Sequence, residues 1–170
     1  MRTPICVFDA KSGILCPQCE SKLDSGKLTK ADVVAAIKLV QHGQKNSQIE
    51  KLTLNSCQES AGSYILYLSH NDIMTIRQSR ELHRLLQNEF IGKIWLVEEG
   101  ASDEKLITDL FFPIKILAIN SVWALGNVQR TKVIVSGRKT PRFPIDIDRI
   151  ISIARNLRGI ELTVEFEIKR

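Results

Sequence analysis

The sequence predicts an α+β protein in which a cysteine-bearing N-terminal knuckle precedes two small α/β modules. Three observations predict it. Three of the four cysteines, Cys6, Cys16 and Cys19, fall within one short stretch near the N-terminus. The order helix, strand, strand, helix, strand can then be read twice, once over 29–100 and once over 101–170. Finally, 44% hydrophobic and 25% charged residues in a chain of 170 suit an ordinary globular protein of one domain or two small ones.

The elements follow in chain order. Thr3 to Leu23, with Gly13 and Pro17 between the cysteines, reads as an irregular loop, and 1–28 is taken as the knuckle. Thr29 suits an N-cap, and Asp32 three residues later completes a capping-box pattern. Val33, Ile37 and Val40 then share one face of a helix ending near His42-Gly43. Ile49 to Leu54 and Tyr64 to Ser69 read as strands. A helix is expected from Asp72 or Thr75 to Phe90, with Ile76, Leu82, Leu85, Leu86 and Phe90 on one side and Arg77, Arg80 and Arg84 on another. Gly92 stops it, and Lys93 to Glu98 is a strand.

In the second half, Ser102 caps a short helix through Leu110 that Pro113 ends. Ile114 to Trp123 and Val128 to Ser136 are strands joined by a turn over Ala124 to Asn127. The loop GRKTPRFP leads to a helix from Ile145 to Leu157, and Gly159 precedes a last strand, Ile160 to Ile168. Little residue identity connects the halves, so the repetition is one of architecture. Trp95 and Trp123 lie in strands and are expected in the core. Phe143 either stacks on a nucleobase or anchors its loop to the body, and its proline neighbours favour the anchor.

Net charge is +5, with pI about 9.1, a modest excess that suits an anionic partner without requiring one. No apolar run approaches the roughly 20 residues of a membrane span. The first residues carry Cys6 and Asp9 and resemble no signal peptide, so a cytoplasmic protein is expected.

Cys16-Pro17-Gln18-Cys19 is a CxxC, a spacing that lets two thiolates face one tetrahedral metal. With Cys6, and Asp9 as fourth ligand, the pattern suits a structural zinc; Cys57 is the competing fourth ligand. Buried metal-free thiols and a redox pair are the alternatives, the last disfavoured because a thioredoxin-type CxxC follows a strand and opens a helix.

The stretch PICVFDAKSGILCPQCESKLDSGKLTKADV resembles the N-terminus of archaeal NusA-like transcription factors, which carry a cysteine knuckle before tandem KH domains. In that group a fourth cysteine can stand where this chain has Asp9. GKIWLVEEGASDEKLITDLFFPIKILAINSVW is similar to the junction between their two KH modules. The resemblance implies two KH-like (type II) modules, association with single-stranded RNA, and a role in transcription elongation or termination beside RNA polymerase. A KH module clamps a nucleic-acid backbone with a GXXG loop whose glycines let phosphates come close. Here that loop falls on Arg77-Gln78-Ser79-Arg80, and both glycines are missing. The arginines either contact phosphate through long side chains or form the solvated face of one continuous helix. In the second module the loop falls on Pro144-Ile145-Asp146-Ile147, a poor phosphate cradle, and Arg138, Lys139 and Arg142 just before it are better placed electrostatically.

The nucleic-acid-binding candidates are therefore Arg77, Arg80, Arg84, Arg138, Lys139 and Arg142. No enzyme is expected. His42, His70 and His83 are scattered, no nucleotide-binding or hydrolase motif occurs, and the pairs Asp146/Asp148 and Glu98/Glu99 read as surface carboxylates. No small-molecule substrate is implied. The competing class is an adaptor that docks on RNA polymerase, a ribosomal subunit or an RNA-processing complex with little RNA contact of its own.

Overall fold

Each half of the chain builds its own three-stranded sheet with helices packed on it, giving a mixed α+β architecture. The structure is a computed structural model that describes residues 1–126 and 128–167. Asn127 of the expected turn and Ile168 of the expected last strand lie outside the described residues. Two compact units result, Met1–Gly100 and Ala101–Arg170.

The first unit starts with two short helices where the sequence suggested irregular loop: α1 (Val7–Ser12) and α2 (Pro17–Asp24). The local chemistry explains them. Cys6 occupies the N-cap of α1, with its sulfur accepting from the Asp9 amide at 3.5 Å, a role usually given to Ser or Asp. Gly13, at φ 76°, ends α1 in the left-handed conformation. Cys16 then caps α2, whose first residue is Pro17, the residue best suited to a position with no intrahelical N–H partner.

α3 (Lys30–Gly43) begins with the full Thr29–Asp32 capping box that the sequence announces. Its small buried face of Ala31, Ala35 and Ala36 admits α1, whose Ala10 is fully buried there, so the knuckle shares the core of the first unit. The expected strand Ile49–Leu54 is corrected. Ile49 belongs to α4 (Ser47–Glu50), capped by Asn46, and β1 runs over Leu54–Ser60. The polar NSCQES sequence hid this strand, because it is an edge strand presenting only Leu54, Cys57 and Ser60 to the interior.

β1 pairs antiparallel with β2 (Ser63–Leu68) through a two-residue turn, Ala61-Gly62, both at positive φ (50° and 66°). That is the conformation whose twist suits a tight hairpin. β2 pairs in parallel with β3 (Lys93–Glu98), giving the order β1-β2-β3. Gly92 is required at the entry to β3, since a Cβ there would meet the Gly62 carbonyl oxygen at 2.5 Å.

The crossover from β2 to β3 is two helices rather than one: α5 (His70–Gln78) and α6 (Arg80–Glu89). Ser79 separates them. Its backbone is extended (φ −110°, ψ 103°), its amide closes α5 on Ile76, and its hydroxyl caps α6 by accepting from Leu82. The reading of a continuous helix is therefore corrected; a serine that can cap both ways breaks it.

In the second unit α7 (Asp103–Phe111) precedes β4 (Ile116–Ala124), β5 (Val128–Ser136), α8 (Ile147–Arg158) and β6 (Glu161–Glu167). β4 pairs antiparallel and β6 parallel to the central β5. Leu106, Leu110 and Phe111 of α7 and Ile150, Ile153 and Ala154 of α8 are buried, as are Val133 and Val135 of β5. A loop over 137–146 stands where the first unit has α5.

Trp95 is buried as expected, but Trp123 is 70% exposed. Strand alternation puts Trp123 in register with Gln129 on the face that carries Thr131, Val133 and Val135. β6, however, starts opposite Arg130, so Trp123 lies past the end of the third strand. Among the described residues, no helix is long and apolar enough to cross a membrane.

Candidate metal centre and basic surfaces

The helix starts α1 and α2 turn three sulfurs and one carboxylate toward a common point. The ligand atoms of Cys6, Asp9, Cys16 and Cys19 all lie within 4.8 Å of one another, and the four residues could hold a metal ion. Cys6 and Cys16 contribute from N-cap positions, Cys19 from the first turn of α2, and Asp9 from the first turn of α1. Cys57 is not among them. It is fully buried in β1, with its amide donating to Asp32 Oδ1 at 2.6 Å.

Asp9 is fully buried, an unusual place for a carboxylate without a compensating charge. Its Oδ2 accepts from the Cys16 amide at 3.0 Å, while Oδ1 is buried with no conventional hydrogen-bond partner. The neighbouring Cys6 thiol and the Cys16 amide hold the carboxyl far below the usual carboxylate range. The same contact raises the Cys6 thiol, because its proton serves Asp9, and burial pushes Cys19 up to about 12. Without metal, the cluster is thus one buried anion beside the protonated thiols of Cys6 and Cys19. A cation satisfies the orphaned oxygen and displaces the thiol protons, so the donor set fits a metal with affinity for sulfur.

The CxxC opens a helix, which the sequence reading did not anticipate, but it follows α1 and not a strand. Half of the thioredoxin pattern is therefore present and half is missing.

Arg77 ends α5, half-buried, and Arg80 and Arg84 sit exposed on the first turns of α6. The break at Ser79 brings Arg77 and Arg80 to one corner. Sequence reasoning missed two neighbours. His83 is exposed on α6, and partial covering of its ring, followed by the charges of Lys93 and Arg77, holds its imidazole below its ordinary value. Lys93, in the first position of β3, lies 4.7 Å above the centroid of the Trp95 ring. Nothing in the sequence pattern links residue 93 to residue 77; the crossover does.

Arg138, Lys139 and Arg142 are exposed in the loop of the second unit. Phe143 is the loop's anchor: its ring meets Phe166 edge-to-face at 5.2 Å and 82°. Ile145 is buried and Asp146 caps α8, accepting from the Arg149 amide. Of the surface carboxylates, Glu98 pairs with His70 at 3.0 Å.

No protein-family model matches the chain, and no curated protein matches it. Among solved structures, the crystal structure of APE1850 is similar, at 22% identity over 68% of this chain and 88% of that one, with a TM-score of 0.42. A likeness of that size identifies neither a family nor an activity.

Proposed function

We propose that the protein is RNA-associated: a non-enzymatic factor of the NusA-like kind whose first unit contacts single-stranded RNA at the α5–α6 corner. The carrying observation is the helix break at Ser79, flanked by Arg77 and Arg80, with the charges of Lys93 and Arg77 both acting on His83 of the following helix. The order helix, strand, strand, helix, helix, strand, with one antiparallel and one parallel pairing, is consistent with a KH-like (type II) module whose backbone grip would fall at this corner. With no glycine at the break, contact is made by long side chains, so phosphates are held at arginine length. The exposed cations of the 137–146 loop add a second basic surface. In this reading the knuckle binds zinc in a structural role, fixing α1 and α2 against α3, and the partner complex is RNA polymerase.

The test is binding of a fluorescent single-stranded RNA across a salt series. Reversing Arg77 and Arg80 to Glu is expected to weaken binding at least tenfold, and to flatten the salt slope by about 0.7 per lost phosphate contact. Lys51→Glu, on an exposed residue after α4, is expected to have little effect. Equal losses in both variants refute a site at the α5–α6 corner. The missing glycines favour a second reading, a protein-docking adaptor on RNA polymerase, a ribosomal subunit or an RNA-processing complex. Co-purification that survives nuclease and high salt supports that alternative.

A further inference from the structure

The net-basic chain has a locally acidic cleft within the second unit. About 100 Å³ of space opens between the first turn of α7, the C-terminal end of α8 and the covered face of the β4–β5 hairpin. Asp103 and Glu104 line one wall. Asp103 is paired with Arg158 at 2.9 Å, which leaves the Glu104 carboxylate as the uncompensated charge; it has no side-chain partner among the described residues. Ser121, Gln129 and Thr131 line the opposite wall. Thr131 is only 6% exposed and lines the cleft, and its hydroxyl makes no hydrogen bond among the described residues.

Two features adjoin this cleft. Trp123 stands two residues beyond Ser121 on the same face, 70% exposed where β6 no longer covers the hairpin. β4 is the outer strand of the order β4-β5-β6, so one of its backbone edges has no strand beside it among the described residues. It is also rich in apolar residues, and those from Ile116 to Trp123 are half-buried or exposed.

We propose that this cleft receives an arginine or lysine side chain from an extended basic segment of a partner protein lying along the open edge of β4. The charge decides the ligand class. Glu104 and the acceptor oxygens of Ser121, Gln129 and Thr131 suit a multi-donor cation, and a carboxylate wall repels the phosphates of a nucleic acid. Trp123 covers the aliphatic stem or the cation itself. The open edge supplies main-chain hydrogen bonds and sets the register, as in strand-addition recognition. The inference is independent of the RNA contact proposed for the first unit, since no residue is shared.

The experiment is a nuclear magnetic resonance titration of the full chain with the peptide SVRVTVRS. The expected result is saturable shifts at Glu104, Ser121, Thr131 and the Trp123 indole. Glu104→Gln, an exposed isosteric change that leaves the fold intact, is expected to weaken binding about tenfold, as is replacing the peptide arginines with citrulline. Thr131→Val, which keeps side-chain shape, is expected to weaken it by a smaller factor. Absence of saturable shifts overturns the proposal, and so does unchanged affinity in Glu104→Gln. Oligoadenylate shifting the same resonances in place of the peptide also overturns it, and identifies the cleft as a nucleobase site.

Discussion

Asp32 is the residue whose loss is expected to cost the first unit most for the fewest atoms removed. One carboxylate, 5% exposed, accepts three hydrogen bonds: from the Thr29 amide at 2.8 Å, the Thr29 hydroxyl at 2.9 Å and the Cys57 amide at 2.6 Å. It therefore caps α3 and ties that helix to β1, 25 residues away in sequence. In Asp32→Ala the exposed Thr29 groups can turn to water, so the cap costs about 1 kcal/mol. The Cys57 amide is buried and cannot, which adds about 2 kcal/mol for a lost charge-assisted bond and an orphaned donor. Asp32→Asn retains one acceptor oxygen and is expected to lose about half of the roughly 3 kcal/mol total. Urea unfolding followed by Trp95 fluorescence reads the first unit, because Trp95 is buried there; a Trp123→Phe background removes the second signal. With a slope near 1–1.5 kcal/mol per molar, the midpoint of Asp32→Ala should fall by about 2 M. A fall below roughly 0.5 M on the same slope would refute the assignment of Asp32 as the tie between α3 and β1.

Metal binding and alkaline pH supply two more expectations. The chain should bind cobalt(II) with tetrahedral thiolate spectra; Asp9→Ala should weaken binding at least about tenfold while Cys57→Ala leaves it unchanged, as judged by absorbance titration. Burial pushes the Cys57 thiol up to about 12 from its ordinary 9.0. Its folded value is raised, so its stabilising contribution is complete below pH 9.0 and is lost as pH climbs toward 12. The stability gap between wild type and Cys57→Ala should accordingly shrink by about 1.4 kcal/mol per pH unit above 9, and a constant gap contradicts a buried neutral thiol.

Much of the fold was legible where local chemistry and long-range packing agree. Thr29 and Asp32 announce α3, and KIWLVE is so apolar that it reads as a strand buried on both faces. Three features were not. The knuckle helices begin at cysteine N-cap positions, only Cys6 capping with its sulfur, and last only 6 and 8 residues, too few for periodicity to register. β1 is polar because it is an edge strand, and only its turn, with Ala61 at positive φ, fixes where it ends. The break at Ser79 has neither Gly nor Pro; serine makes it by satisfying both helix ends. Trp123 shows the limit of a strand assignment: the expectation that it lies in the core fails, because its exposure depends on where β6 begins. At the candidate sites, the four metal-cluster residues were all readable from spacing, whereas Lys93 and His83 join Arg77 only through the β2–β3 crossover.

The most direct test of RNA contact at the α5–α6 corner is the His83 titration, followed by its imidazole resonance with and without single-stranded RNA. In the free protein, partial covering of the ring together with Lys93 and Arg77 holds His83 below its ordinary 6.5. Phosphates docking on Arg77 and Arg80 would screen that positive charge and favour the protonated imidazole, so the midpoint should move upward, and binding should tighten as pH falls through it. A saturating RNA complex in which the His83 midpoint stays where it was contradicts the account.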